Sequence, residues 1–194
     1  MKKLTLIKLL FLSILSFSID TAYAQTYQEN IEKNFKEFGE LLKVGQFEKA
    51  YDYVHPDLFD FISKADMVKM TKALFNSEQY SFKFSDFNTK SFKEPIVVEN
   101  KYYVVFKYIS VIEMKFNDIE EDKRPLIQTG LANKFGSENV SYKKETGFFK
   151  VNAEKKSIAI SDNGKSNWKF INVEPEQRII MEKLLPKPVR DEVF

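Results

Sequence analysis

The chain of 194 residues contains no cysteine, one histidine, one tryptophan, and only six glycines and six prolines. Without cysteine there is no disulfide framework, thiolate metal site, thiol nucleophile or lipid-modified cysteine near the N-terminus. His55 is the only histidine, so most of the remaining vocabulary for metal binding and acid–base work at neutral pH is missing too. No metal site and no cofactor is predicted. Long hydrophobic runs are also lacking. The longest, Leu9 to Ile19, is about half of the roughly 20 residues that a membrane-spanning helix needs.

That short run follows Met1, Lys2 and Lys3 and precedes Ala22-Tyr23-Ala24. A charged start, a short apolar centre and small residues at a cut form the pattern of a secretory signal peptide. The expectation is therefore a signal peptide over 1–24, cleavage between Ala24 and Gln25, and an exported protein, periplasmic or secreted, with no integral membrane segment after cleavage. The formal charge of +2 belongs to the leader, because residues 25–194 carry 27 basic and 27 acidic side chains. Three of those cations are arginine (Arg124, Arg178 and Arg190) and the rest lysine. A neutral surface poor in the bidentate phosphate-binding residue excludes nucleic acid as a partner.

What the chain does have is 43% hydrophobic, 15% aromatic and 30% charged residues, a globular composition. A domain of this length buries roughly 70% of its unfolded surface and needs no disulfides. Ile31, Phe35, Phe38, Leu41 and Leu42 recur at helical spacing, with Gly45 just past them as a helix stop. A second helix is predicted with Phe47, Ala50, Tyr51 and Val54 inward, ending at His55 because Pro56 disfavours helical geometry before it. A turn of helix around Leu58–Ile62 and another helix over 65–76, with Met67, Met70 and Leu74 on one side, follow.

At Tyr80 the period changes to two, predicting a strand. Strands are also expected at 96–98 and 101–116, the first joined to the second by a tight Glu99-Asn100 turn. The 101–116 strand would span about 50 Å at 3.3 Å per residue, so a bend or bulge is expected within it. Its even face is apolar throughout and its odd face only in part, which predicts one covered and one partly covered side. A helix at 125–135, with Leu126, Ile127 and Leu131 inward, precedes strands at 140–142, 147–152, 157–161 and 167–173. Asn163-Gly164 is a hairpin signal between the last two. A final helix carries Ile179, Ile180, Leu184 and Leu185 inward, and Pro186 and Pro188 break it. No linker divides residues 25–194, so one domain is expected.

Helices first, a strongly curved antiparallel sheet afterwards and an insert helix between strands resemble the nuclear transport factor 2-like superfamily, the cone-shaped α+β fold of ketosteroid isomerases and polyketide cyclases. The stretch Gly45-Gln46-Phe47-Glu48-Lys49-Ala50-Tyr51-Asp52-Tyr53, running on to Pro56, is similar to that family's second helix. Trp168-Lys169-Phe170 resembles a signature on a late strand of its exported members. The resemblance implies an α+β class in which N-terminal helices pack on the sheet, with an insert helix and a C-terminal helix, and it implies a pocket. No residue here matches a catalytic position of the family, so it implies no chemistry for that pocket.

His55, with Asp52 and Tyr53 close in sequence, is the candidate for general-base catalysis; the competing and favoured reading is a histidine placed at a helix end, where the dipole suits it. The acids of Asn117–Asp122 lack the glycine and glutamate of a calcium loop, with Lys123 and Thr129 in those places, and read as a solvated loop. Tyr80, Phe82, Tyr102, Phe106, Tyr108 and Trp168 are the candidates for a ligand cavity, together with Phe84, Phe149 and Phe170; the alternative is that these rings fill core. Two functional readings follow. The first is a non-catalytic cell-envelope module that binds a small apolar ligand or a protein partner, with a homodimer left open. The second is an isomerase, dehydratase or cyclase that uses an acid or His55 in the cone.

Overall fold

The computed structural model describes residues 27–194; the expected signal peptide lies outside them. Helix α1 (27–43) buries Tyr27, Ile31, Phe35, Phe38 and Leu42, each at most 6% exposed, at steps of four, four, three and four. Leu41 is half-buried at the flank of this stripe. The helix stops as predicted: Gly45 has φ 73°, its N–H donates to Leu42 O and the Gln46 N–H donates to Leu41 O, the paired bonds of a glycine-terminated helix.

The second helix is shorter than its sequence pattern. α2 (Phe47–Ala50) gives way to a 3-10 turn over Tyr51–Tyr53, and Val54 is extended. Proline restricts only the residue before it, so His55 explains only the last step. Val54 is drawn out by tertiary pairing, forming a parallel bridge to Phe170 while the His55 N–H donates to Phe170 O at 3.0 Å. A 3-10 turn at Pro56–Asp60 leads to α3 (Lys64–Phe75), whose cap is Ser63: its Oγ accepts from the Asp66 N–H at 3.1 Å and donates to the Asp66 carboxylate at 2.6 Å. Of α3 only Val68 is buried.

Six antiparallel strands form one open sheet: β1 (Tyr80–Phe92), β2 (Ile96–Val98), β3 (Lys101–Phe116), β4 (Val140–Lys143), β5 (Phe148–Ser161) and β6 (Lys169–Val173). The order is β1-β3-β5-β4, with β2 also on β3 and β6 also on β5. The expected bulge is not in β3, which runs against β5 without a register shift; the shifts are in β1, between Phe84 and Asp86 and between Thr89 and Ser91. They have a purpose legible in the spacing. Phe84, Phe87 and Phe92 are separated by three and five residues, and regular alternation would send them to opposite faces. Two bulges return all three to the helix-covered face, where they pack on the main core.

The strands expected at 147–152 and 157–161 are one, β5, because the charges between them are paired in place. Glu154 meets Lys107 at 2.8 Å, Lys155 meets Glu174 at 2.8 Å, and Lys156 donates to Val193 O at 2.9 Å. The Asn163-Gly164 pair does not make a tight hairpin. It sits in a seven-residue loop, 162–168, in which Asn163 Oδ1 accepts from the backbone N–H of Lys165 and of Ser166 at 2.8 and 2.9 Å. Glu99 and Asn100 do form the tight turn between β2 and β3, with φ 51° and 64°.

Both faces of β3 are covered. On the even face, α1 packs over Val104, Phe106 and Tyr108, and α4 (Arg124–Phe135) packs through Leu131 and Phe135 on Val140, Val151 and Ala153, the cluster that Ile112 of β3 also joins. On the odd face, Tyr103 and Val105 meet Met181 and Leu185 of α5 (Arg178–Leu184) and its C-terminal edge, and Val189 and Val193 of α6 (Lys187–Val193). Two expected core residues are on the surface, Leu126 at 75% and Ile179 at 72% exposed, because the buried sides of α4 and α5 are set by Leu131 and Met181. Pro188 does not end a helix; it stands in the first turn of α6, where no N–H is required. No described helix is long and apolar enough to cross a membrane.

Candidate functional site

The even face of the sheet is sealed under α1 and open under α3. Between α1, the 3-10 segments, α3, β1, β6 and the start of α5 lies a cavity of about 350 Å³, within the size of small-molecule sites. Leu42, Val54, Leu58, Ile62, Met67 and Leu74 form much of its wall, and Phe38, Phe84 and Phe170 supply its aromatic surface. Strand β6 runs out from under α1 at this point. Its helix-facing residues continue the two-residue period beyond Phe170 to Asn172 and Glu174, and there the surface turns polar.

Met67, Met70 and Leu74 do share one side of α3, as their spacing predicts, and that side lines the cavity, with Met67 also packed against the main core. Met70 is 62% exposed at the rim. Few polar groups enter the space. The hydroxyls of Tyr51 and Thr71 are hydrogen-bonded to each other across it, and Asn172, Glu174 and Gln177 follow one another along the chain at one wall. Burial pushes the Tyr51 phenol up, against the opposing effect of the Thr71 hydrogen bond, so it stays protonated. Glu174 is the one charged lining residue, and both of its carboxylate oxygens accept from Lys155 Nζ, at 2.8 and 2.9 Å.

No protein-family model, curated protein or solved structure matches this chain. The site is therefore interpreted from its own geometry.

The three residues proposed for acid–base work are each engaged elsewhere. His55 is 7% exposed, and its Nδ1 accepts from the Asp57 N–H at 3.4 Å, capping the Pro56–Asp60 turn. Burial holds the imidazole below its ordinary value, against the pull of the Asp57 carboxylate 3.7 Å away. Asp52 pairs with Lys64 at 2.5 Å. Tyr53 donates to the Glu37 carboxylate at 2.7 Å, which raises its phenol to about 12. None of the three lines the cavity.

Nor do the six candidate aromatic residues. Phe106 and Tyr108 are buried against Phe35, with ring centroids 5.0 and 4.7 Å from it. Trp168 is 1% exposed in the same core. Tyr80 packs on Phe116 at 6.4 Å and Phe82 on Phe75 at 5.4 Å, while the Tyr102 ring lies against Gly164, so close that a Cβ there would sit 2.6 Å from it. From the wider aromatic set, Phe84 and Phe170 do reach the cavity, and Phe149 is buried 4.8 Å from Tyr142. Thr71, Asn172, Glu174 and Gln177 were not singled out from sequence. Their signal was faint: two polar residues, Asn172 and Glu174, continue a face that begins with Phe170.

Proposed function

We propose that this protein is an exported cell-envelope module that holds a small apolar molecule between its helices and its sheet, on a fold of the nuclear transport factor 2-like kind. The observation that carries the binding role is the cavity itself, with its apolar wall, a few polar groups on one side and an opening at Met70. Deep, mostly apolar concavities with a small polar complement are the usual form of small-molecule sites. An unfilled space under α3 costs packing energy, and a guest that fills it recovers those contacts. The leader-like residues 1–24 support export, and the order of helices before sheet supports the fold kinship.

The binding reading is favoured over catalysis by what surrounds the cavity. Tyr51 is held protonated, and the Glu174 carboxylate is bound by Lys155 through both oxygens, so neither is poised to take a proton. The test uses N-phenylnaphthylamine, a neutral dye that fluoresces in apolar surroundings. Fluorescence is expected to rise on mixing with the wild-type protein and to stay at the buffer level with Leu74→Trp, which is expected to keep the wild-type circular dichroism spectrum. Equal fluorescence from both proteins would place the dye elsewhere and refute the proposal.

A further inference from the structure

Resting on the cavity as a binding site, the distribution of its polar atoms points to a class of guest: we infer that it takes an amphiphile with an uncharged, hydrogen-bonding head and a hydrocarbon body, and discriminates against the corresponding carboxylate. The polar groups are segregated. Asn172 lies on the face of β6 that begins with Phe170, and Glu174 and Gln177 come directly after the strand, so the three share one wall. Asn172 and Gln177 are exposed and Glu174 is half-buried, which puts this wall at the solvent side. The remainder is mostly hydrocarbon, from Phe38, Leu42, Val54, Leu58, Ile62 and Leu74, interrupted by the mutually bonded hydroxyls of Tyr51 and Thr71. A guest with one polar end matches this division, head at the Asn172–Gln177 wall and body against the apolar lining.

The charge of the head follows from Glu174 and Lys155. Lys155 is not among the residues lining the cavity, while the Glu174 carboxylate is, and it is the single charge that is. An incoming carboxylate would meet this carboxylate, whose neutralising ammonium does not line the cavity and is already committed to it, and would gain no cationic partner for the hydration it loses. An ammonium head gains little, because the pair it approaches is neutral as a whole. An O–H group, by contrast, can donate to a remaining lone pair of Glu174 and accept from the amides of Asn172 or Gln177. Deeper in, the Tyr51–Thr71 pair uses one hydroxyl proton between its two oxygens and leaves the other free for an acceptor such as an ester carbonyl.

The experiment displaces N-phenylnaphthylamine from the full mature chain with decanol, decanoate and decylamine, at a pH where the acid is ionised and the amine protonated. Decanol is expected to compete at least about tenfold more strongly than decanoate, a difference worth about 1.4 kcal/mol, with decylamine no stronger than decanol. Glu174→Gln should narrow the ratio of decanol to decanoate by freeing the Lys155 charge, and Lys155→Met should widen it and favour the amine. These opposite responses distinguish the inference from simple damage to the fold, which would weaken all three competitors together. Decanoate competing as well as decanol, or a ratio that neither substitution moves, overturns the uncharged-head inference while leaving the cavity in place. Failure of the dye to bind the wild-type chain refutes the cavity as a binding site, and the inference with it.

Discussion

Helices α1 and α3 lie over the same face of one sheet and treat it in opposite ways. α1 presses Phe35 among three rings of the sheet, with centroids 5.0 Å from Phe106, 4.7 Å from Tyr108 and 5.2 Å from Phe170. α3 also carries an apolar stripe, yet its Met67, Met70 and Leu74 line the cavity together with Phe84 and Phe170. The difference is one of approach. Gly39 of α1 lets Phe87 of β1 come so near that a Cβ would fall 2.6 Å from its ring. α3 meets the sheet at Phe75, whose ring lies 5.4 Å from Phe82 and 5.8 Å from Phe84, and leaves Met70 and Leu74 to line the cavity. One sheet face thus serves as the foundation of the domain at one end and as the floor of a site at the other.

Truncating Phe35 should have the largest effect on this arrangement. Phe35→Ala removes the ring that joins α1 to β3 and β6 and is expected to cost about 3–5 kcal/mol, read as a lowered midpoint in urea with an unchanged slope. Gly39→Ala comes next. Overpacking against Phe87 costs about 1–3 kcal/mol, against about 1 kcal/mol gained from helix propensity, so a net loss of up to about 2 kcal/mol is expected by thermal unfolding; a gain would mean that the seal under α1 is looser than the geometry shows. On the α3 side the sign reverses. Leu74→Phe adds volume to unfilled space and should stabilise the chain by about 0.5–2 kcal/mol, and a loss of that size would show that no usable space exists there.

The smallest effect belongs to His55, which takes part in neither the seal nor the cavity. Its folded value lies below its unfolded one near 6.5, so above that pH the ring is neutral in both states and contributes no pH dependence. As pH falls through about 6.5 the unfolded chain binds the proton first, and stability declines until the folded value is passed. His55→Asn, which keeps a side-chain acceptor for the Asp57 N–H, should flatten this part of the stability profile measured by chemical denaturation. A profile as steep as the wild type would assign the titration to another group.

The α+β class, the stop at Gly45, the full length of β3 and the Glu99-Asn100 turn were all legible in the sequence, because each rests on contacts between residues near one another in the chain. Where long-range pairing intervened, local patterns misled. Val54 reads as helix and is drawn into a bridge with Phe170. The 153–156 charges read as a break in β5 and are satisfied by partners on β3, beyond β6 and in α6. The site was the least legible part: of the rings that attract notice, Phe106 and Tyr108 fill core while Phe84 and Phe170 reach the cavity, and half of its wall is aliphatic and methionine side chains that look like any other core stripe.

The amino-acid sequence alone determined which side of each element is apolar, since that depends only on residue spacing against a fixed helical or strand period. It also determined that residues 25–194 carry no net charge and no thiol. The tertiary structure decided which of those apolar sides meet. Phe84, Phe87 and Phe92 share a face only through two bulges in β1, α1 packs close because one glycine admits one phenylalanine, and α3 leaves part of its stripe lining a cavity. Spacing along the chain specifies a direction for each side chain, but a cavity is a distance between two surfaces, and that distance is set by the packing of every element around it.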